Sequence, residues 1–168
     1  MGQLDGKVAI ITGGGSGIGK GIAKAFADEG CSVVIAARNA ERLDAAAAEL
    51  SAGGATVISI PTDVTSEDQM ISLFAKTMDQ FGKLDVLVNN SGAFDGGPVE
   101  ELTMEQWQKV IDVNVTGPFL GSREAFKIMK KQDGGRIINI GSIAAQKPRH
   151  SSSPYTTSKH AVWGLTQS

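Results

Sequence analysis

Tyr155-Thr156-Thr157-Ser158-Lys159 sets a phenol and an ammonium four residues apart, a spacing that puts both on one face of a helix. A free tyrosine has a pKa of about 10, too high to exchange protons readily at neutral pH. A neighbouring cation favours the phenolate, and a tyrosine so assisted can act as a general acid and base. A tyrosine and a lysine on a solvated helix face would read the same, so the pair gains meaning only from what accompanies it.

The elements that must position such a pair begin at the amino end. Val8-Ala9-Ile10-Ile11 is a short β-branched run, as a buried parallel strand should be. It enters Thr12-Gly13-Gly14-Gly15-Ser16-Gly17-Ile18-Gly19 and then a helical stretch from Ile18 to Gly30, with Ile18, Ile22, Ala25 and Phe26 at helical spacing. Strand, glycine turn and helix form a phosphate-binding context, because glycine permits close backbone approach and the helix N-terminus offers free N–H groups. A strict G-x-G-x-x-G is absent, since the sixth position counted from Gly13 is Ile18. Gly14 to Lys20 opens like a nucleotide triphosphate loop, but Gly21 stands where a magnesium-binding hydroxyl is required. Thr12-Gly13-x-x-x-Gly17-x-Gly19 is the pattern that fits.

Apolar β-rich runs alternate with helical stretches throughout, which predicts an α/β fold, a doubly wound parallel sheet of Rossmann type in three layers. The further strands are expected at 32–36, 56–60, 84–88 and 136–140. Helices are expected from about Ala40 to Ala52, from a capping box at Ser66-Glu67-Asp68-Gln69 to Gly82, and from a second box at Thr103–Gln106 to Lys131, divided or kinked at Gly117-Pro118. A last helix carries Tyr155 and Lys159. Without a repeat or a low-complexity linker, residues 1–168 read as a single dinucleotide-binding domain. Ligands in such sheets sit beyond the carboxyl ends of the strands, where strand order reverses. The glycine turn, Asp63, Asn90 and Ser142 all follow strand ends.

Together these features resemble the short-chain dehydrogenase/reductase family. The family's glycine pattern falls on Gly13, Gly17 and Gly19, and its acidic residue after the third strand on Asp63, followed by Val64. Its Asn-Asn-Ala-Gly motif is Asn89-Asn90-Ser91-Gly92 here, with serine in place of alanine. Its catalytic asparagine matches Asn114, and its catalytic serine matches Ser142, thirteen positions before Tyr155. The resemblance implies hydride transfer between a nicotinamide cofactor and a small-molecule carbonyl or alcohol. In that reaction Tyr155 is the acid/base, Lys159 its cation and a holder of the nicotinamide ribose. Ser142 hydrogen-bonds the substrate oxygen, and Asn114 positions a water. The implied cofactor contacts are Gly13, Ser16, Gly17, Ile18, Gly19, Asp63, Val64, Asn90 and Gly92, with Tyr155 and Lys159. A homo-oligomer, dimer or tetramer, is implied through the helical region from Met104 to Lys131 and the last helix.

Cofactor choice is read at the end of the second strand. An acid there would bind the adenosine ribose of NAD and repel a 2′-phosphate. The residues are Ala36-Ala37-Arg38-Asn39, with no acid before Glu41, and the Arg38 guanidinium suits a phosphate. NADP is therefore expected, with NAD possible.

A net charge of −2 gives no reason to expect nucleic acid or an acidic membrane as partner. The lone Cys31 excludes an internal disulfide and suits a reducing compartment, so it is expected buried and inert. With no apolar stretch of membrane-spanning length and no signal peptide before the first strand, a cytoplasmic protein is expected. His150 and His160 lack partners at metal-ligand spacing, so no metal site is expected. Trp107 and Trp163 are expected in core or subunit contacts, and Ser151-Ser152-Ser153 as a flexible polar loop. Family members continue beyond the point matching Ser168, so the chain reads as lacking the C-terminal strands. The competing expectation is a noncatalytic dinucleotide-binding or interaction module.

Overall fold

A computed structural model describes residues 2–132 and 134–168. Five strands, β1 (Val8–Thr12), β2 (Ser32–Ala37), β3 (Val57–Pro61), β4 (Val86–Asn89) and β5 (Arg136–Asn139), form one sheet in the order β3-β2-β1-β4-β5. Every pairing is parallel. Successive strand residues point to opposite faces, and here both faces are apolar. Ala9, Ile11, Val33 and Ile35 face α1 (Gly17–Asp28) and α2 (Ala40–Ser51), where they pack with Ala23 and Leu43. Ile10, Val34 and Leu87 face the other layer, built on α3 (Glu67–Phe81) and α5 (Gly117–Met129), with Met70, Leu73 and Leu120. That double burial is why the strands read as unbroken apolar runs. The expected doubly wound sheet is the fold observed.

Strand order reverses between β1 and β4, so the crevice beyond their carboxyl ends is the switch point. Two strands, β3 and β4, start later than expected. β4 begins at Val86 because Leu84 is held by the side chain of Gln132, which accepts from its N–H at 3.3 Å and donates to its carbonyl at 2.6 Å. β3 includes Pro61 as its last residue, which an edge strand tolerates.

The two expected capping boxes part company. At Thr103 the hydroxyl accepts from Gln106 N–H and the Gln106 side chain accepts from Thr103 N–H, the reciprocal arrangement. Ser66 accepts from Gln69 N–H, but the Gln69 side chain accepts from Asp63 N–H instead, at 2.8 Å. The region after Thr103 is divided as expected, though just before Gly117-Pro118. α4 (Met104–Ile111) passes into a π turn over Asp112–Thr116 and then α5. A 3-10 turn at Ile143–Ala145 precedes α6 (Ser153–Gln167).

Candidate active site

The glycine turn is shaped by close approach. Gly13 has φ of +68° and any Cβ there would lie 2.8 Å from Asn90 Nδ2. A Cβ on Gly19 would overlap the Gly13 carbonyl oxygen. Asn90 then stitches the turn to β4, donating through Nδ2 to the Thr12 carbonyl at 2.9 Å and the Gly13 carbonyl at 3.4 Å. Thr12 completes the stitch, its Oγ1 accepting from the N–H groups of Asn90 and Ser91, both at 3.0 Å. The sequence reading assigns no role to Thr12 and gives Asn90 to the cofactor. The structure puts the Nδ2 of Asn90 on the turn itself.

Ser16 caps α1 without a side-chain hydrogen bond, and the first turn of α1 contains no acid. Nothing local neutralises the positive end of that helix, which suits a phosphate-bearing ligand. Ser16 and Gly17 are exposed beside it, and Ile18 is 69% exposed. Gly13, Arg38, Asp63, Val64 and Gly92 come together around a cavity of about 160 Å³ at the switch point. Ala37 and Arg38 are shared with an adjoining open depression of about 560 Å³, which also receives Arg42. Arg42 escaped the sequence reading although it lies in the first turn of α2. Its N–H donates to the Asn39 side chain at 2.8 Å, the cap of that helix. Among the described residues neither Arg38 nor Arg42 has a carboxylate at ion-pair distance. Asp63 accepts through Oδ1 from the N–H and hydroxyl of Thr65, at 2.9 and 2.8 Å. Open phosphate-binding backbone plus two free guanidiniums make a donor set that fits a phosphorylated dinucleotide.

The proton-handling groups lie alongside. Lys159 is 7% exposed and donates to the Ile140 carbonyl at 2.8 Å, with its nitrogen 5.7 Å from the centre of the Tyr155 ring. Burial lowers its pKa from the ordinary lysine value. Ser142 and Tyr155 share a cavity of about 190 Å³ with Phe94 and Arg149. The Ser142 hydroxyl accepts from Ala144 N–H at 3.1 Å, capping the 3-10 turn, which leaves its own proton to donate. Phe94, also missed from sequence, stands edge-on to Tyr155 with ring centres 5.3 Å apart. Asn114 is 1% exposed in the π turn. Its amide closes on Ala93, accepting from the N–H at 2.7 Å and donating to the carbonyl at 2.9 Å, and donates to Ser158 at 3.0 Å. Asn114 thereby ties the loop after β4 to α6.

Several expectations outside the site resolve. Cys31 is buried, and desolvation followed by the charge of Asp85 pushes its thiol to about 11, which leaves little reactive thiolate at neutral pH. Trp163 is 45% exposed, so it is no core residue. Ser152 is buried and bonded to the Arg149 carbonyl at 2.8 Å and the Thr156 hydroxyl at 3.0 Å, while Ser151 is exposed, so the middle of the serine triplet is packed rather than part of a free polar loop. Among the described residues no group of three His, Cys, Asp or Glu could hold a metal, and no helix is long and apolar enough to cross a membrane.

The family model described as short chain dehydrogenase matches residues 7–168. A 3beta-hydroxysteroid dehydrogenase of Mediterraneibacter gnavus is 40% identical over 168 residues, covering 99% of this chain and 60% of that protein. A 3-oxoacyl-[acyl-carrier-protein] reductase of Synechocystis is 39% identical, covering 99% of this chain and 68% of that protein. A short chain dehydrogenase/reductase of Colletotrichum higginsianum is 41% identical and is spanned over 63% of its length. Among solved structures, an actinorhodin polyketide ketoreductase with NADPH superposes with a TM-score of 0.95 at 37% identity, covering 99% of this chain and 65% of that one.

Proposed function

This chain belongs to the short-chain dehydrogenase/reductase family, and from that premise we propose that it serves an oxidoreductase moving a hydride between NADPH and a carbonyl or secondary alcohol. The observation that carries the reading is the meeting of Tyr155 and Ser142 on one cavity with the Lys159 ammonium beneath the tyrosine ring. When bound, the nicotinamide supplies or receives the hydride. Tyr155 gives a proton to the substrate oxygen in reduction and takes it back in oxidation. The free O–H of Ser142 points the same oxygen by a hydrogen bond. Lys159 brings a positive charge to the face of the tyrosine ring. Asn114 has committed its amide to Ala93 and Ser158, so its share in a proton relay falls to the backbone of the π turn.

NADPH is favoured over NADH because Arg38 and Arg42 face the same depression without an acid to refuse a 2′-phosphate. Arg38→Asp is expected to lower kcat/KM with NADPH by roughly tenfold or more, the worth of a charge-assisted hydrogen bond, and to raise the relative use of NADH. Parallel kinetics with both cofactors decide it, and an unchanged preference would remove Arg38 from the role. The reading includes a cytoplasmic location and a homo-oligomer. Phe119 and Phe126 on α5 and Trp163 on α6 are exposed by 48, 63 and 45%, an apolar surface that subunit association would cover. Sedimentation equilibrium is expected to give a dimer or tetramer mass, and a monomer at micromolar concentration would end that part of the reading.

A further inference from the structure

We infer that the substrate joins an apolar body to a carboxylate, with Arg149 receiving the carboxylate while Ser142 and Tyr155 hold the carbonyl; the inference rests on the hydride-transfer reading above. The cavity containing Ser142 and Tyr155 has two large apolar walls, Phe94 and Ile143, which are 63 and 65% exposed. Side chains of that size left open in the same cavity as a polar pair can be covered by an apolar ligand at a gain of about 25 cal/mol for each Å² removed from water. Phe94 is not loosely hung. Its neighbour Asp95 accepts from Gly96 N–H at 3.0 Å, Gln106 Nε2 at 3.1 Å and Lys109 Nζ at 3.2 Å, which pins the loop to α4.

Arg149 is the one charged residue in the lining of that cavity. Among the described residues it has no carboxylate at ion-pair distance. Its main chain is anchored, since buried Ser152 donates to the Arg149 carbonyl at 2.8 Å and is itself held by Thr156. The main chain of Arg149 is thus fixed against the start of α6 while its guanidinium remains available. The neighbouring cavity of about 420 Å³, which Arg149 and Ser152 also line, has no acidic side chain among the described residues. A guanidinium is shaped for two parallel hydrogen bonds to a carboxylate, and among the described residues no competing anion pairs with it. A neutral ketone would use the apolar walls but leave this cation unanswered.

The test compares phenylglyoxylate, benzoylacetate and benzoylpropanoate with their methyl esters, using the full-length protein and NADPH. The best acid is expected to exceed its ester at least tenfold in kcat/KM, mostly through KM, as a charge-assisted contact predicts. In Arg149→Gln the ratio is expected to fall to about one, while Arg149→Lys keeps part of it. Esters reduced as well as acids, or a ratio unaltered in Arg149→Gln, would overturn the inference and leave hydride transfer standing. Calorimetry adds a readout that needs no turnover, comparing phenylpropanoate with phenylpropanamide on the NADPH-bound protein. Acid binding that is at least about tenfold tighter and lost in Arg149→Gln, with no ketone reduced, would uphold the inference and sink the hydride-transfer reading. Equal binding of acid and amide, or none of either, would overturn it.

Discussion

Tyr155→Phe is expected to lower kcat by about 10²–10⁴-fold, the usual worth of a positioned general acid, while NADPH binding is retained. The substitution removes one oxygen and little else. The ring packs edge-on against Phe94 at 5.3 Å and over the Lys159 ammonium at 5.7 Å, contacts that phenylalanine reproduces. None of the residues around the glycine turn or Arg38 touches that oxygen in the hydrogen-bond pattern of the turn, which runs through Thr12 and Asn90. Titration of NADPH fluorescence and steady-state turnover on a panel of ketones measure the two halves separately. Turnover above about a tenth of the parent rate would take the proton-transfer role from Tyr155. Loss of NADPH binding along with turnover would mean the hydroxyl also holds the cofactor, so that the lost turnover does not report proton transfer alone.

What the sequence made legible, and what it hid, follows from the range of the interactions. The strands are readable because each is apolar on both faces, so Val33-Val34-Ile35 needs no partner to be recognised as buried. Helix starts are readable where the cap is local, as at Thr103. The same four-residue pattern misleads at Ser66, because Gln69 finds Asp63 N–H as a better-placed donor just upstream. What the sequence hid at the site are the contacts that depend on distant chain. Thr12 and Asn90 are separated by 78 positions, and only the adjacency of β1 and β4 joins them. Asn114 and Ser158 are 44 apart. Phe94 and Arg149 carry no motif, and they become notable only when two loops from different strand ends enclose one cavity. Arg42 had a local signal, a cation one helical turn after Arg38 on the same helix start, and could have been found.

Lys159→Met is expected to abolish turnover and, in the cofactor-free protein, to raise stability. The two effects have one origin. The ammonium is nearly buried, its one hydrogen-bond acceptor is the neutral Ile140 carbonyl, and no carboxylate of the described residues pairs with it. Desolvation lowers its pKa in the folded chain below the ordinary value near 10.5. At pH below that lowered value lysine is charged whether folded or unfolded, so folding bears the full cost of burying the charge. As pH rises through the lowered value towards 10.5, the folded protein releases the proton first and the cost fades. Methionine keeps the stem and omits the charge, and replacing buried charge by apolar volume stabilises by about 1–4 kcal/mol where it helps at all. A Tm increase of roughly 2–4 °C per kcal/mol is therefore expected at neutral pH, shrinking in the alkaline range. Thermal denaturation of both forms across that range reads it. A Tm that falls at neutral pH, or a gap that widens with rising pH, would show that Lys159 supports the fold instead of straining it. On the proposed mechanism, charge held at the site against its solvation cost is what Tyr155 needs beside it, and the Tm difference of Lys159→Met measures the stability the fold gives up to keep it there.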